Sequence, residues 1–337
     1  MALPHYPASV IDVIVYGLGP IGLRIAQRVL ARPSLRLAGA VDVDPAKVGR
    51  DLGELAGAAP CGLPVVDSIA QLGVRERGAV AIHATSSSLE AVTPQIEALA
   101  ARGFNVVSTC EELSWPHGRP ELARRIDAAA RTAGVSVLGS GINPGFLMDT
   151  LPLVLSAACV RIDRVHVRRV VDTNRRRIPL QRKTGVGMTV AEFRARADAG
   201  TLGHVGLRQS AAMLADGLGW RLDAYRETLD PVVAERATET GLGAVPAGGV
   251  IGQRQTATGS AGGRELIRFD LEMSAGAEPI DAIDIDGEPP VRQIIEGGIN
   301  GDIGTEAVIV NLVPVVSAAA PGLLTMRDVY PLACAGG

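Results

Sequence analysis

Residues 13–44 read VIVYGLGPIGLRIAQRVLARPSLRLAGAVDVD. Val13, Ile14, Val15 and Tyr16 make a short apolar run of the kind that forms a buried parallel strand. Gly17-Leu18-Gly19-Pro20-Ile21-Gly22 fits the pattern G-x-G-x-x-G. Ile21, Ile25 and Val29 follow at helical spacing, with Arg24 and Arg28 on another face, and a second apolar strand, residues 35–41, ends at Asp42. This strand–turn–helix–strand unit predicts a dinucleotide site. Gly17 allows the tight turn, Gly19 lets the backbone approach a pyrophosphate, and Gly22 lets helix and strand pack closely. The free N–H groups of a helix opening on Pro20 and Ile21 then meet negative charge. Asp42 lies about twenty residues beyond the last glycine, where an acid accepts hydrogen bonds from the adenosine ribose. That acid favours NAD. Lys47 and Arg50, near the ribose end, either neutralise a 2′-phosphate or are solvated helix charges, so NADP stays open.

The whole chain of 337 residues has room for about two domains. It is 47% hydrophobic, enough for a substantial core, and its net charge of -3 gives no electrostatic reason to expect nucleic acid or an anionic membrane as partner. Cys61, Cys110, Cys159 and Cys334 are scattered and form no C-x-x-C pair, which predicts reduced thiols and a cytoplasmic protein. The first ten residues, MALPHYPASV, have neither a basic nor an apolar signal-peptide region. Residues 307–324 are the most apolar stretch. They contain Asn311, Pro314, Ser317 and Pro321, which predicts a buried helix and turn rather than a membrane span. No H-E-x-x-H and no Cys/His cluster suggests a metal.

Beyond Asp42, Asp44 and Pro45 predict an N-cap and first helical residue. Residues 65–68 read as a short strand and 79–84 as a clearer one, with His83 a satisfied core residue. Thr85-Ser86-Ser87-Ser88 follows at the carboxyl end of that strand, where the ligand crevice of an open α/β sheet lies. Thr85, Ser86 and Ser87 are therefore candidate cofactor contacts, and the run also caps a helix over 89–101. The next strand, 105–108, emerges at Thr109-Cys110-Glu111-Glu112, where a nicotinamide ring should reach. Glu111 and Glu112 are the catalytic candidates. Neighbouring side chains in extended chain diverge, so one should face the cleft while the other caps a helix or meets solvent. Cys110 reads as a small packing residue at the edge of the cofactor site. A helix over 120–133 and a strand over 135–138 lead to Gly141-Ile142-Asn143-Pro144. Asn143 and Pro144 suit an N-cap and first helical position, placing a helix start, and Asn143 with it, beside the cofactor carboxamide or the substrate.

From about residue 151 the pattern changes. Residues 160–171 alternate like a strand, and Arg175 to Arg177 read as a solvated face. Thr189 is a helix N-cap. The Gly-rich loop over 200–207 precedes a helix over 208–218 and carries His204, a candidate substrate-site residue. Residues 249–260 and 264–274 predict a hairpin across Ala261-Gly262-Gly263, with shorter strands at 282–285 and 291–296. The expected organisation is a dinucleotide-binding domain over 1–150, a mainly antiparallel α+β substrate domain over 151–300, and a segment from 301 to 337 that packs back on the first domain.

Four segments together resemble the 2,4-diaminopentanoate dehydrogenase family, which includes native amine dehydrogenases and is related to dihydrodipicolinate reductase. They are GLGPIG from Gly17, VDVDPAKVGRDLG from Val41, STCEELSWP from Ser108 and GINPGFLMD from Gly141; GHVGL from Gly203 and GGINGDIGT from Gly297 extend the likeness. The resemblance implies an α/β chain with an N-terminal Rossmann domain, its sheet parallel, and a second α+β domain for substrate and dimerisation, hence a homodimer. It implies NAD(P)-dependent interconversion of a primary amine with a ketone or aldehyde plus ammonia, on 2,4-diaminopentanoate or a simple alkyl amine. It implies a glutamate at the end of the strand holding Ser108, with Glu111 slightly favoured over Glu112. It also places Asn143, Pro144, Phe146 and Met148 along the substrate. Two rivals remain open: a dihydrodipicolinate-type C=N or carbonyl reductase, and a sensor that binds NAD(P) without turnover. The first should carry a basic or His-rich substrate motif, whereas a carboxylate pair suits a cation.

Overall fold

The computed structural model describes residues 10–72, 78–176, 178–329 and 332–334. Two compact units divide the chain: residues up to Phe146 together with those from Asp302 onward, and Leu147–Gly301. In chain order the first unit holds β1 (Ile11–Tyr16), α1 (Pro20–Leu30), β2 (Leu35–Val41), α2 (Leu52–Leu55), β3 (Val65–Val66), β4 (Val80–His83), α3 (Leu89–Ala101), β5 (Asn105–Ser108), α4 (Pro120–Ala133) and β6 (Ser136–Gly139). The second unit holds α5 (Thr150–Ser156), β7 (Arg161–Asp172), α6 (Ile178–Lys183), α7 (Val190–Asp198), α8 (Leu207–Gly217), β8 (Ala224–Val233), β9 (Thr238–Thr240), β10 (Gly243–Val245), β11 (Val250–Ala261), β12 (Arg264–Ser274), β13 (Ile280–Glu288) and β14 (Val291–Glu296). The chain then returns to the first unit with α9 (Gly301–Ala318) and β15 (Gly322–Leu324).

The first unit is a parallel sheet of seven strands in the order β15-β6-β5-β4-β1-β2-β3. Its strands are apolar on both faces, as they must be when helices cover both sides. Val13, Ile14 and Val15 of β1 and every residue of β4 and β5 are buried. Successive strands run outward in one direction from β1 to β3 and in the other from β4 to β6. The order therefore reverses between β1 and β4, where α/β sheets open a ligand crevice at their carboxyl ends. α9 is long and apolar enough in composition to cross a membrane, and 61% of that stretch is buried within the fold. Its Glu306, 1% exposed, pairs with Arg24 at 2.5 Å and Arg28 at 2.9 Å on α1. Asn311 accepts from Arg32, and the Ser317 hydroxyl donates to the Gly78 carbonyl.

The predicted helix at Asp44-Pro45 does not form. The Asp44 side chain accepts the Ala46 N–H at 2.9 Å, and its carbonyl accepts from Lys47 and Val48. Local side-chain bonds of this kind compete with helix propagation, and Gly49 turns the chain away at φ 81°. The helix starts instead at Leu52, capped by Asp51, and lasts four residues. Asp51 also gathers the N–H groups of Cys61, Gly62 and Leu63. Those backbone donors, Cys61 first, hold its carboxyl down at about 2.

The second unit is a six-stranded mixed sheet, β14-β13-β7-β12-β11-β8, in which β7 and β12 run parallel and every other pair antiparallel. Gly262 and Gly263, at φ 57° and 76°, make the tight hairpin turn between β11 and β12. Helices α5 and α8 pack on this sheet. Cross-strand polar pairs, His166–Asp270 at 2.7 Å and Arg254–Glu272 at 2.7 Å, occupy polar positions along the strands. Burial opposes it, but His166, Arg268 and Thr256 hold the Asp270 carboxyl well below the ordinary range. A buried pair, Arg169 with Asp281 at 3.1 Å, fastens the following Gly-rich loop: Arg169 donates to the Ile299 carbonyl, and Asp281 accepts the Ile299 N–H.

Candidate functional site

The Gly-rich turn between β1 and α1 shows three different reasons for its glycines. Gly17 sits at φ 95°, in the left-handed region. A Cβ there would lie 2.5 Å from the Ala84 carbonyl oxygen, so the turn can approach β4 only without a side chain. A Cβ on Gly22 would overlap the Gly17 carbonyl oxygen. A Cβ on Gly19 would meet nothing within 4 Å: this glycine borders open space. Gly19 caps α1 without a side-chain bond, Pro20 opens the helix, Ile21 follows, and no acidic residue stands in the first turn. A bare glycine edge in front of an uncapped, acid-free helix N-terminus fits a pyrophosphate.

Asp42 closes this cradle from β2. One carboxylate oxygen accepts the Leu18 N–H at 2.6 Å, and the other accepts the Asp44 N–H at 2.9 Å. Lys47 reaches Asp42 at 3.3 Å and Asp44 at 3.2 Å. Although partial burial works against it, these two carboxylates raise the Lys47 ammonium above its ordinary value. Arg50 is exposed, as is Val43, immediately beside Asp42. The acid expected at the ribose thus also ties the Gly-rich turn to the end of β2.

Two loops lie side by side at the carboxyl ends of β4 and β5. In the first, the Thr85 hydroxyl donates to Gln95, the Ser86 hydroxyl accepts the Ser88 N–H, and Ser88 caps α3. In the second, Cys110 leads into a short 3-10 turn, Glu111–Ser114. The Ser87 carbonyl accepts from both the Cys110 thiol at 3.2 Å and the Glu112 N–H at 3.3 Å. The Glu112 carboxylate accepts the Leu89 N–H at 2.7 Å and so satisfies an orphan donor at the start of α3. Glu111 and Glu112 are both half-buried. Cys110 is 1% exposed, and burial first of all pushes its thiol up to about 12. A thiol so protonated packs and donates, and does not act as a nucleophile.

The predicted helix start at Asn143-Pro144 is overturned. Residues 143–149 form consecutive turns, and α5 begins only at Thr150, capped by Asp149. Gly145 explains it: φ is 124°, outside right-handed helix, and a Cβ there would overlap the Ser140 hydroxyl. Asn143 and Pro144 are buried and Phe146 half-buried in the first unit, whereas Met148, fully buried, and His204 belong to the second. The His204 N–H donates to the Gln255 side chain at 2.7 Å, and its carbonyl accepts from the same amide at 2.9 Å. Gln255, 2% exposed, clamps that Gly-rich loop and was not foreseen, because nothing local marks a residue 51 positions away.

The sequence profile of the 2,4-diaminopentanoate dehydrogenase C-terminal domain matches residues 146–336, and that of the dihydrodipicolinate reductase N-terminus matches residues 11–112. The 2,4-diaminopentanoate dehydrogenase of Acetoanaerobium sticklandii is 31% identical, covering 94% of this chain and 93% of its own. The chain belongs to the 2,4-diaminopentanoate dehydrogenase family. An amine dehydrogenase of Streptomyces virginiae is 28% identical over 80% of this chain and 72% of its own. The solved structure of an amine dehydrogenase from Mycobacterium smegmatis superposes with a TM-score of 0.84 at 26% identity, covering 98% of each chain. As a member of this family the chain is a nicotinamide-dependent oxidoreductase acting on CH–NH2 groups, an amine dehydrogenase on a Rossmann-type scaffold.

Proposed function

We propose that this enzyme catalyses the reversible oxidative deamination of a small primary amine to a ketone or aldehyde and ammonia, with Glu111 as acid–base group. The observation that carries the assignment is the bond between Glu112 and the Leu89 N–H. One member of the carboxylate pair serves a helix terminus, which supports its neighbour for the cleft role. The backbone of Gly17 to Gly22 holds the cofactor pyrophosphate, with Asp42 toward the ribose. Thr85, Ser86, Ser87 and Cys110 border its path toward the β5 exit, and Asn143 lies toward the carboxamide. When bound, the nicotinamide supplies or accepts the hydride.

The protein's own work is protonic and electrostatic. An ammonium cannot release hydride, so Glu111 takes a proton from the incoming substrate. Once that proton has passed on to water, the restored negative charge of the carboxylate stabilises the cationic iminium. Water adds with the same carboxylate assisting, and ammonia leaves; the reverse direction condenses ammonia with the carbonyl. Asn143, Pro144, Phe146, Met148 and His204 shape substrate choice, which spans 2,4-diaminopentanoate and simple alkyl amines. Asp42 supports NAD as the preferred cofactor, and the Lys47 ammonium at 3.3 Å from it supports acceptance of NADP. Kinship supports a homodimer, and the scattered thiols support a cytoplasmic setting.

The test is oxidation of NADH and NADPH with short ketones, aldehydes and the two amino-oxopentanoates related to 2,4-diaminopentanoate, with and without ammonium. Ammonium-dependent oxidation with amine product supports the proposal and ranks cofactors and substrates. Oxidation without ammonium identifies a carbonyl reductase. Tight cofactor binding with no turnover on any carbonyl points to a sensor.

A further inference from the structure

His83, the last residue of β4, is fully buried and makes more polar contacts than a packing residue needs. Its Nε2 lies 2.7 Å from Gln95 Oε1 and 3.0 Å from Thr85 Oγ1, and its Nδ1 lies 3.0 Å from Ser108 Oγ. The Thr85 hydroxyl donates to the same Gln95 oxygen at 2.7 Å. Ser108 Oγ accepts the Cys110 N–H at 3.1 Å. The Tyr16 ring meets the imidazole edge-on at 5.5 Å.

The protons in this network can be assigned. A carbonyl oxygen only accepts, so Nε2 carries the ring proton and gives it to Gln95. Burial, the leading cause, lowers the imidazole to about 4, so the ring holds one proton at neutral pH. Nδ1 is then an acceptor and takes the Ser108 hydroxyl proton. The Ser108 oxygen, having donated, accepts from the Cys110 N–H. One neutral ring thereby joins Thr85, through the Gln95 oxygen to which both donate, and Cys110, through the Ser108 hydroxyl.

We propose that His83 is a positioning residue that sets the loop after β4 and the Glu111 turn in mutual register, so that cofactor and acid–base group are aligned by one shared polar node. The proposal rests on the reading of Glu111 as the acid–base group. It gives a buried histidine in the sheet a task in turnover without contact to the reacting atoms. Small misplacements of reacting groups cost about a hundredfold in rate at the extreme, so loss of a single bond in this relay should show kinetically.

The experiment compares His83→Phe, His83→Gln, Ser108→Ala and, in parallel, Glu111→Gln. Cofactor titration counts competent sites in each, and kcat, KM for amine and the pH profile of kcat/KM are read per competent site. His83→Phe and Ser108→Ala are expected to lower kcat by about tenfold and to displace the acid limb of the profile. His83→Gln, which keeps one donor and one acceptor, is expected to retain more activity than His83→Phe. Wild-type kcat and an unmoved acid limb in Ser108→Ala and His83→Phe would overturn the proposal, as would His83→Gln performing no better than His83→Phe. If His83→Phe does not fold, Ser108→Ala decides alone. Full turnover in Glu111→Gln would instead overturn the assignment of the acid–base group, whatever the His83 variants show.

Discussion

The Glu112 carboxylate lies 2.7 Å from the Leu89 N–H, bridging the exit of one sheet strand to the start of the helix that follows its neighbour. The Glu112 carboxylate is thereby engaged at a helix start. Glu111→Gln is expected to reduce amine turnover by on the order of 10²–10⁴ while leaving cofactor affinity nearly intact. Steady-state kinetics beside a fluorescence titration of the cofactor measures both. An inactive Glu112→Gln together with an active Glu111→Gln would reverse the assignment.

Glu112→Ala removes a cap from α3. It should lower stability by about 1 kcal/mol, read from urea unfolding, and reduce turnover per folded molecule far less than Glu111→Gln does.

The buried His83 makes stability depend on pH with a definite sign. Its pKa is depressed in the fold to about 4 by burial, whereas the unfolded chain titrates near the ordinary imidazole value of 6.5. Below 6.5 the unfolded state binds the extra proton first, so this stabilisation is fully present above 6.5 and is lost as pH falls toward 4. The loss amounts to about 3 kcal/mol at the lower end. Urea unfolding between these limits should show the slope, and His83→Gln should remove that share of it.

The glycines of the turn after β1 should separate folding from binding. Gly19→Ala places its methyl in open space, so stability should hold while the cofactor Kd rises by about tenfold, near 1.4 kcal/mol. Gly22→Ala drives a methyl into the Gly17 carbonyl, so folded yield and cofactor binding should fall together. Calorimetric titration of both variants with NADH makes the comparison. Unchanged cofactor affinity in Gly19→Ala would remove the pyrophosphate from this edge.

Lys47 offers a separate handle on cofactor choice. Lys47→Ala should weaken NADP by about tenfold while NAD binding changes little. Equal losses for both cofactors would show that the ammonium serves only to hold Asp42 and Asp44.

Much of the first unit was legible because its signals are local. The apolar run at Val13, the glycine spacing, and the bounds of α3, β5 and α4 follow from periodicity and caps within a few residues. What escaped were contacts over long separations: Asp42 with Leu18 across 24 positions, Glu112 with Leu89 across 23, and Arg28 with Glu306 across 278. Asn143-Pro144 imitated a helix start, but Gly145 one residue later takes a φ no helix permits. β8 was missed for a different reason. It carries Pro231 among charged residues, which reads as loop, yet it is the outermost strand of its sheet, where a missing N–H is tolerated. β15 has three residues, too few to show any period.

The return of the chain to its first unit has a consequence for biosynthesis. The Ile142 N–H meets the Thr305 hydroxyl at 3.4 Å, so residues 147–301 are spliced into the first unit through two neighbouring points. A ribosome emits strand β1 before the inserted residues and the helix that pairs with Arg24 and Arg28 after them. The dinucleotide-binding unit therefore waits, one wall open, until residues 301–318 have been translated. The inserted residues are free to fold first, against the usual N-terminal-first order.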